Sequence, residues 1–294
     1  MFDDAYLDTV KILHMEITSL CNAACPQCSR FVGKDLNPDI DLSELSLSDI
    51  QGKLSTAFVK NLDKMFMCGN YGDPAASRHT LDVYRWFRQV NPDITLGMNT
   101  NGSIKTESWW QQLGKILNRQ RDYVVFSLDG LADTNHIYRR NVNWQRVMAN
   151  VKSFIAAGGR AHWDMLIFRH NEHQVEQARQ LAADMGFAEF RCKVSRRFGS
   201  IPVEYLQPPV KYQPDFHSTD DITEISCSAY NERSVYMDYK GNILPCCWIG
   251  SSVNKATPAW PWPFKPDVSV PVCKRTCGVQ GQSNYNKQWI NTDA

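Results

Sequence analysis

The sequence predicts an α/β fold built on a mostly parallel sheet. Six segments with strand character alternate with five amphipathic helices between residues 10 and 195, and strict alternation implies right-handed crossovers between parallel strands. The composition is that of a globular chain, because 43% of the 294 residues are hydrophobic and 21% are charged. Six units are too few for a closed eight-stranded barrel, so a partial barrel and a doubly wound sheet both remain open.

The predicted strands are short runs that are apolar or β-rich. In chain order they are residues 10–18, 63–68, 93–99, 122–130, 161–168 and 187–194. The predicted helices carry apolar residues on one face and cover residues 47–59, 78–89, 107–117, 144–157 and 171–185. Ser46 or Ser48 is expected to cap the first helix. Asn171 and Gln174 form a capping-box variant at the start of the last helix, which Gly186 ends.

Polar and glycine-rich segments directly follow four of the predicted strands. They are residues 21–28, 69–74, 100–102 and 127–130. In parallel α/β folds the carboxyl ends of the strands lie on one rim, where reactive groups collect. We therefore expect these four segments to converge on one rim.

The composition changes after the last predicted strand. Residues 199–222 are rich in proline and lack hydrophobic periodicity, which is typical of a linker. Residues 233–250 then predict a hairpin with its turn at Lys240–Gly241–Asn242. The sequence thus predicts a main domain over residues 1–198, a linker over 199–222 and a small domain over 223–294.

The chain carries no signal for a membrane or for secretion. Its longest apolar runs are far shorter than the roughly 20 residues that span a bilayer, and residues 1–11 are acidic without the apolar region of a signal peptide. A net charge of +1 provides no field that would steer the chain toward nucleic acid, although a nucleic-acid substrate is not excluded. We expect a cytoplasmic protein.

Ten cysteines in such a chain need an explanation, because cysteines in reducing compartments more often bind metal or catalyse than form disulfides. Two groups, one near each end of the chain, contain Cys21, Cys25, Cys28, Cys227, Cys246, Cys247, Cys273 and Cys277. The remaining Cys68 and Cys192 are expected to be small buried hydrophobes. Two separate groups predict two metal sites.

The first group supplies three thiolates, from Cys21, Cys25 and Cys28, within eight residues. A 4Fe–4S cluster is normally held by four thiolates, one per iron, so three would leave one iron open to a further ligand. The spacing CxxxCxxC differs from the ferredoxin spacing and from paired CxxC zinc sites. On spacing alone, a zinc site made from these three with His14 or a distant cysteine remains open.

CxxxCxxC after the first strand resembles the signature of the radical S-adenosylmethionine (SAM) superfamily. Further motifs resemble that family in the same order: YGDP at 71–74, NTNG at 99–102, and SLDG followed by NHIYRR over 127–140. The resemblance covers residues 18–140 and implies the family's partial (β/α)6 TIM-like barrel. Gln27 departs from the pattern, since the family usually has an aromatic residue beside the adenine.

The resemblance implies two cofactors, a 4Fe–4S cluster on the three cysteines and SAM on its open iron. The SAM contacts that it implies are Tyr71, Gly72, Asp73, Pro74, Asn99, Asn101, Ser127, Asp129 and Arg140. Arg140 is expected to pair with the methionyl carboxylate. Gly72, together with the nearby Gly69, is expected to let the backbone approach the ligand. The implied activity is reductive cleavage of SAM to a 5′-deoxyadenosyl radical that abstracts a hydrogen atom, with a flavodoxin- or ferredoxin-type electron donor.

The second group also resembles a known arrangement. Cys227, Gly241 and Cys246 fit C-x₁₃-G-x₄-C, the opening of the SPASM and shorter twitch extensions of the superfamily. The resemblance implies an auxiliary 4Fe–4S cluster in a twitch-type domain. Its expected ligands are Cys227, Cys246, Cys273 and Cys277. Cys247 is expected to point to the opposite side of the strand, and a zinc knuckle of the same four residues is the alternative.

Two other segments have weaker assignments. Arg196 and Arg197 follow the sixth strand, where a basic pair is placed to bind a substrate carboxylate or phosphate, and an ordinary surface ion pair fits equally well. The stiff segment PAWPWPFKP, residues 258–266, is expected to pack over the auxiliary cluster rather than line a substrate channel.

The expected substrate is a small molecule, a sugar or a nucleoside, oxidised or rearranged with help from the auxiliary cluster. Cys21 lies too near the start of the chain for the leader-peptide-binding domain that peptide-modifying relatives often carry. The chain also ends in QWINTDA rather than in the glycine-arginine-arginine tail of the relative that cyclises a guanine nucleotide. The alternatives are a peptide-modifying radical SAM/SPASM enzyme and a non-catalytic zinc-binding scaffold.

Overall fold

The structure, a computed structural model, describes residues 8–213, 222–251, 267–279 and 289–290. The predicted aromatic segment 258–266 lies outside the described residues, as do residues 214–221 of the predicted linker. Close contacts divide the chain into two units. Unit 1 comprises Met1–Leu20, Pro38–Leu96 and His217–Asn286, and unit 2 comprises Cys21–Asn37, Gly97–Phe216 and Lys287–Ala294.

The strands are short, and most follow the predicted runs. They are β1 Ile12–Met15, β2 Phe31–Val32, β3 Asp35–Leu36, β4 Lys64–Met67, β5 Thr95–Thr100, β6 Tyr123–Ser127, β7 Ala161–Ile167, β8 Glu189–Val194, β9 Ser234–Met237, β10 Ile243–Leu244 and β11 Trp289–Ile290. β2 and β3 form a small hairpin of their own directly after the cysteine loop.

The helices alternate with the strands over most of the chain. They are α1 Leu47–Lys53, α2 Thr56–Asn61, α3 Thr80–Val90, α4 Glu107–Ile116, α5 Asn135–Tyr138, α6 Trp144–Ala156, α7 Val175–Met185, α8 Ser228–Asn231 and α9 Pro271–Cys277, with 3₁₀ turns at Pro74–Ala76 and Glu172–Gln174. Within the described residues, no helix combines the length and the apolar character needed to cross a membrane.

In unit 1 the first strand, β1, lies between two parallel neighbours. Leu13 of β1 is opposite Met65 of β4 on one side and Val235 of β9 on the other, and β10 pairs antiparallel with β9. All three side chains are buried. A strand from the predicted C-terminal domain therefore shares a sheet with the first strand of the chain.

In unit 2 the strands β5, β6, β7 and β8 pair in parallel and in chain order, and β11 adds an antiparallel edge to β8. Helices α4 and α6 supply aromatic core residues: the ring of Trp110 lies 5.3 Å from that of Phe126 and 6.3 Å from that of Phe154. Gly114 of α4 permits this close packing, because a Cβ there would lie 2.6 Å from the Phe154 carbonyl oxygen. The predicted α/β fold with a mostly parallel sheet is confirmed.

The prediction of one continuous helix over residues 47–59 is wrong, because the structure has two helices there, α1 and α2. Leu54 adopts extended backbone angles and ends α1, and the side chain of Ser55 then accepts a hydrogen bond from a backbone N–H in the first turn of α2. A serine hydroxyl competes in this way for backbone N–H groups and favours a new helix start. At the first start, Ser46 caps α1 in a full capping box with Asp49.

The last helix of the series begins later than predicted. A 3₁₀ turn, Glu172–Gln174, precedes α7, and Asn171 makes no side-chain cap. Its amide instead accepts a hydrogen bond from Phe168 N at 2.7 Å and donates one to the Asp129 carbonyl oxygen at 3.1 Å. The Asn171 side chain thus binds the preceding turn at Phe168 and the distant Asp129, instead of capping the helix as the local pattern predicted. The predicted end at Gly186 is confirmed by its left-handed φ of 81°.

The predicted hairpin is confirmed between β9 and β10. Gly241 has φ of 78°, a conformation that glycine adopts without strain. The Asp238 carboxylate accepts hydrogen bonds from the backbone N–H groups of Lys240 and Asn242 at 2.9 and 2.8 Å. The turn is therefore fixed by residues within five positions of each other.

The described part of the predicted linker, residues 199–213, contains no helix or strand. It is nevertheless fastened to unit 2. Leu206 is buried, and the carboxylate of Glu172 accepts hydrogen bonds from Val210 N at 2.7 Å and Lys211 N at 2.8 Å. The domain boundaries at 198 and 222 stay predictions.

Candidate functional site

The CxxxCxxC loop lies in unit 2 and is shaped by short backbone hydrogen bonds. Cys28 N donates to the Cys25 carbonyl oxygen, and Phe31 N donates to the Cys28 carbonyl oxygen, both at 3.0 Å. Ala24 N donates to the carbonyl oxygen of Arg140, also at 3.0 Å, which fastens the loop to the NHIYRR motif. All ten cysteines of the chain are free thiols. The loop therefore presents its sulfurs uncrosslinked.

A buried ion pair lies beside one of these thiols. Arg139 Nε contacts Asp129 Oδ2 at 2.6 Å, and Arg139 Nη1 lies 3.8 Å from the sulfur of Cys25. Leu166 N donates to the other carboxylate oxygen of Asp129 at 2.6 Å, and the Asp129 side chain is fully buried. Burial raises the pKa of Cys25 to about 11, while the positive charge of Arg139 acts in the opposite direction.

The NTNG motif reaches a second thiol. Asn101 Nδ2 donates to Asn22 Oδ1 at 2.9 Å and lies 3.7 Å from the sulfur of Cys21. Its orientation is fixed because Asn101 Oδ1 accepts hydrogen bonds from Ser103 N at 2.9 Å and Ser103 Oγ at 2.8 Å. The cysteine loop, NTNG and NHIYRR are thus brought together within unit 2.

The other predicted SAM contacts of unit 2 lie on the same strands or next to them. Asn99 of β5 and Ser127 at the end of β6 are half-buried. Arg140 is exposed, and its guanidinium lies 4.8 Å from the centroid of the Tyr205 ring. The charge of Arg140 thus lies over the ring of Tyr205 and is open to solvent.

Gln27, the departure from the family pattern, holds the cysteine loop to the end of β8. Its side chain is fully buried. Gln27 Oε1 accepts a hydrogen bond from Ser195 Oγ at 2.6 Å, and Gln27 Nε2 donates to the Ile201 carbonyl oxygen at 3.3 Å. Arg197 Nη1 donates to the Gln27 carbonyl oxygen at 2.7 Å. Arg197, which we considered as a substrate-binding residue, thus has a partner in the cysteine loop.

In unit 1 a buried carboxylate that sequence reasoning missed, Glu16, organises the glycine-rich turn. Glu16 Oε1 accepts hydrogen bonds from Tyr71 N at 2.7 Å and Gly72 N at 3.0 Å, and the hydroxyl of Tyr236 donates to Glu16 Oε2. Burial raises the pKa of Glu16, and these hydrogen bonds oppose that rise. The available signal was a glutamate inside an apolar strand, a position that requires buried partners.

The turn itself leaves no space for side chains at its glycines. A Cβ at Gly72 would lie 1.7 Å from the Thr18 carbonyl oxygen, and one at Gly69 would lie 2.5 Å from Glu16 Oε1. The close approach of the chain itself therefore requires glycine at both positions, and the expected approach of a ligand to their backbone stays a prediction. Asp73 Oδ1 accepts a hydrogen bond from Ala75 N at 2.9 Å and so caps the 3₁₀ turn that begins at Pro74.

The four cysteines expected to hold the auxiliary cluster are near one another in unit 1. Cys227 and Cys273 belong to one buried cluster, and Cys246 packs against it. Cys277 forms a side-chain hydrogen bond with Cys227, and this hydrogen bond lowers the pKa of Cys227 to about 6. The fold therefore brings these four cysteines, which are spread over 51 positions of the sequence, into one neighbourhood.

Cys247 has different surroundings from its neighbour. Its thiol is buried, and burial raises its pKa, with further contributions from Cys246, Cys68 and Glu16. Its carbonyl oxygen accepts a hydrogen bond from Asn70 Nδ2 at 2.8 Å. Cys192 is a buried residue of β8, as expected.

The donor set and its surroundings fit the implied cofactors. Uncrosslinked thiols with N–H groups near two of their sulfurs suit thiolate ligands. Asn135 adds an observation of a different kind: it is almost fully buried and accepts a hydrogen bond from Asp129 N at 2.8 Å, yet its Nδ2 has no partner in the described structure. Such an orphaned donor suits a polar ligand. The described residues contain no group of three or more His, Cys, Asp or Glu side chains arranged for a single metal ion.

Comparison with known proteins places these motifs in a family. The model of the Radical SAM superfamily matches residues 15–182. The tungsten-containing aldehyde ferredoxin oxidoreductase cofactor-modifying protein of Pyrococcus furiosus is 27% identical over 136 residues, which are 44% of this chain and 33% of that protein. The FeMo cofactor biosynthesis protein NifB of Methanocaldococcus jannaschii is 25% identical over 108 residues, 35% of this chain and 36% of that protein.

Solved structures support the fold. SuiB of Streptococcus suis aligns with a TM-score of 0.58 and 14% identity when bound to its precursor peptide SuiA, over 83% of this chain and 61% of that chain. SuiB bound to SAM gives a TM-score of 0.59 and 15% identity, over 82% and 61%. This likeness confirms the predicted partial TIM-like fold class. The chain spans about a third of the length of the two curated relatives and 61% of SuiB.

Proposed function

The chain belongs to the radical SAM superfamily, and on that premise we propose that Cys21, Cys25 and Cys28 hold a 4Fe–4S cluster whose open iron binds SAM. The tight loop supplies one thiolate to each of three irons. The zinc alternative requires a fourth ligand, and His14, one candidate, already hydrogen-bonds the carbonyl oxygen of Cys68 through Nε2.

One observation carries this proposal, the placement of N–H donors at two of the three sulfurs. Asn101 Nδ2 lies 3.7 Å from Cys21 Sγ, and Arg139 Nη1 lies 3.8 Å from Cys25 Sγ. Iron-bound thiolates are charged, and donors directed at them stabilise that charge. Both donors belong to the motifs that resemble the family's SAM-binding stretches, so the loop and the motifs support the same assignment.

The SAM contacts follow from the same motifs. In unit 2 we assign Asn99, Asn101, Ser127, Asp129 and Arg140. We infer that Arg140 pairs with the methionyl carboxylate. Two observations support this: its side chain is exposed, and its carbonyl oxygen accepts a hydrogen bond from Ala24 N of the cysteine loop. Asn135 joins this set as an additional donor. In unit 1 the contacts of Tyr71, Gly72, Asp73 and Pro74 stay predictions.

With both cofactors bound, the chemistry supplied is reductive cleavage of SAM to methionine and a 5′-deoxyadenosyl radical able to remove a hydrogen atom from a substrate. The protein's own contribution is to fix the loop and to keep water out. Asp129 and Gln27 serve this purpose, because both side chains are fully buried and bind the backbone of neighbouring segments. A flavodoxin- or ferredoxin-type protein is the proposed electron donor.

We assign a second 4Fe–4S cluster to the C-terminal cysteines. The supporting observation is the convergence of Cys227, Cys246 and Cys273 on one buried cluster, with Cys277 hydrogen-bonded to Cys227. Four thiols suffice for one such cluster. The proposed task of this cluster is to accept or relay an electron during turnover.

The proposed substrate remains a small molecule, a sugar or a nucleoside. The names of the two curated relatives concern the cofactors of other enzymes, whereas SuiB was solved with a precursor peptide. A peptide is therefore the second candidate. Incubating the reduced enzyme and SAM with each candidate would separate them by liquid chromatography and mass spectrometry, since only the true substrate is consumed and replaced by a new compound.

The central experiment is anaerobic reconstitution of the wild type and of a Cys21→Ala/Cys25→Ala/Cys28→Ala variant. The wild type should carry iron and sulfide and, once reduced, should convert SAM to methionine and 5′-deoxyadenosine. The variant should lose this cleavage and keep roughly half of the iron, because one of two clusters remains. Iron and sulfide assays with chromatography of the products provide the measurement.

Cys192→Ala is the matched control, because Cys192 is a buried cysteine of unit 2 outside both groups. It should keep all the iron and the cleavage activity. Undiminished cleavage by the triple variant would contradict the proposal. Colourless wild-type protein with stoichiometric zinc would favour the non-catalytic scaffold instead.

A further inference from the structure

We infer that Arg139 raises the reduction potential of the cluster on Cys21, Cys25 and Cys28 by donating a hydrogen bond to the Cys25 sulfur. This inference rests on the proposed function, because it concerns the cluster assigned there. The motif resemblance gives a role to Arg140 and none to its neighbour. Only the folded structure shows which of the two arginines faces a cysteine.

The geometry of the guanidinium is specific. Nη1 lies 3.8 Å from Cys25 Sγ, within the distance of a hydrogen bond to sulfur, and Nε lies 2.6 Å from Asp129 Oδ2. Arginine presents its donors in a rigid planar fork, so the bond to Asp129 fixes where Nη1 points. Asp129 therefore acts on the sulfur indirectly, by orienting Arg139.

The pair is held in place from several sides. The Asp129 side chain is fully buried and that of Arg139 is 16% exposed. Leu166 N binds the second carboxylate oxygen, and Asn135 Oδ1 accepts a hydrogen bond from Asp129 N. The Arg139 guanidinium also lies 5.4 Å from the ring centroid of Tyr138. A charge fixed in this way cannot swing into solvent when the cluster changes its charge.

The direction of the effect follows from electrostatics. Reduction adds one electron to the cluster, which makes its thiolate ligands more negative. A positive charge and an N–H donor at a ligand sulfur stabilise the reduced form more than the oxidised form, so they raise the potential. The effect is strong at this position because the surroundings are buried and screening by water is weak. Asn101 offers Cys21 a donor without charge, so its influence should be smaller.

The test is a redox titration of the reconstituted full chain followed by electron paramagnetic resonance. The reductant is dithionite in the presence of mediators. The cluster signal that changes when SAM is added belongs to the N-terminal cysteines, and the signal that does not change is the internal standard. Arg139→Leu should shift the midpoint of the SAM-sensitive signal to a more negative potential and leave the other signal where it was.

The matched control is Arg191→Leu. Arg191 also pairs with a buried aspartate of unit 2, since its Nε lies 2.8 Å from Asp164 Oδ1 and Asp164 is 4% exposed. Loss of this pair should leave both midpoints unchanged. An equal shift from Arg191→Leu and Arg139→Leu would overturn the inference, because the effect would then reflect loss of any buried ion pair.

Arg139→Lys is a second variant, which keeps the test possible if Arg139→Leu does not load a cluster. Lysine keeps the charge beside Asp129, but its single ammonium group does not reproduce the fork that serves Asp129 and Cys25 together. A midpoint below that of the wild type supports the inference. If a variant of Arg139 loads its cluster and that cluster has the same midpoint potential as in the wild type, the inference is overturned. A wild type without a SAM-sensitive cluster would instead remove the proposed function and this inference with it.

Discussion

Two adjacent arginines at the proposed SAM site have different surroundings. Arg139 is held by Asp129 with a donor directed at Cys25, whereas Arg140 is exposed over the ring of Tyr205. A buried, paired arginine is suited to shifting the reduction potential of a neighbouring cluster, and an exposed arginine is suited to binding an anionic ligand.

Arg140→Ala should weaken SAM binding by ten- to a hundred-fold. A charge-assisted hydrogen bond contributes about 1.5–3 kcal/mol, and each 1.4 kcal/mol corresponds to about a factor of ten in affinity. Calorimetric titration of the reconstituted enzyme with SAM gives the measurement. Arg146→Ala, an exposed arginine of α6, should bind SAM normally. Loss of affinity in Arg139→Lys with none in Arg140→Ala would show that the wrong neighbour was assigned.

His14 should make the stability of the protein depend on pH. Its ring stacks on Phe66 with centroids 4.4 Å apart and lies edge-on to Tyr236 at 4.9 Å, and burial lowers its pKa from 6.5 to about 4. Because the folded-state pKa is below the unfolded one, the unfolded chain binds more protons between these values. This contribution to stability is complete above pH 6.5 and is lost as the pH falls toward 4.

The loss should be at most about 3 kcal/mol. Urea unfolding of the wild type and of His14→Gln at several pH values measures it. The glutamine variant should show a flatter dependence, since the side chain at position 14 then no longer titrates. Parallel curves for the two proteins would exclude His14 as the cause.

At the scale of elements, the glycine-rich turn is a backbone structure braced by other parts of unit 1. Glu16, the residue after β1, accepts hydrogen bonds from two N–H groups of the turn, and the hydroxyl of Tyr236 of β9 donates to the same carboxylate. Asp73 N donates to the Leu20 carbonyl oxygen at 2.8 Å. The turn therefore depends on the sheet around it as much as on its own sequence.

Gly72→Ala should destabilise the fold by about 3 kcal/mol or more, because the new Cβ meets the rigid Thr18 carbonyl group. Gly52→Ala is the matched control: no atom lies within 4 Å of a Cβ there, and alanine in the helix α1 should stabilise by about 0.5–1 kcal/mol. Chemical denaturation measures both. Equal stability of Gly72→Ala and the wild type would mean that the turn adapts, and the proposed contact of residues 71–74 with SAM would lose its rigid support.

At the scale of the whole molecule, the two groups of cysteines should have separable tasks. The N-terminal group lies in unit 2 and the C-terminal group in unit 1. A substrate radical left after hydrogen abstraction must be quenched, and a redox-active auxiliary cluster can accept its electron. Cleavage of SAM needs only the first cluster.

Cys227→Ala and Cys273→Ala should therefore keep SAM cleavage but lose product. With the native substrate, the ratio of 5′-deoxyadenosine to product should be near one in the wild type and should rise sharply in both variants. Quantitative chromatography of both compounds provides the ratio. Cys247→Ala tests whether the neighbouring thiol has the same task; we expect it to behave as the wild type. A ratio unchanged in Cys227→Ala and Cys273→Ala would assign these cysteines to structure alone.

The sequence by itself determined the features that depend on a few neighbouring residues. The spacing of Cys21, Cys25 and Cys28, with the motifs that follow, indicates the superfamily, while the cluster on these cysteines stays a proposal. The hairpin turn at Gly241 and the helix end at Gly186 follow from local backbone preferences. The alternation of strands and helices indicated the fold class, because burial of one apolar face per element leaves few arrangements.

Only the tertiary structure decided which polar side chains support these motifs. Glu16 and Tyr236 are 220 positions apart, Gln27 and Ser195 are 168 apart, and Arg139 and Cys25 are 114 apart. A buried polar group needs a partner but does not specify in the sequence where that partner lies. The pairing of the strands decides which partner comes within reach. For the same reason Asn171 donates a hydrogen bond to the Asp129 carbonyl oxygen instead of capping the helix start that its local pattern predicted.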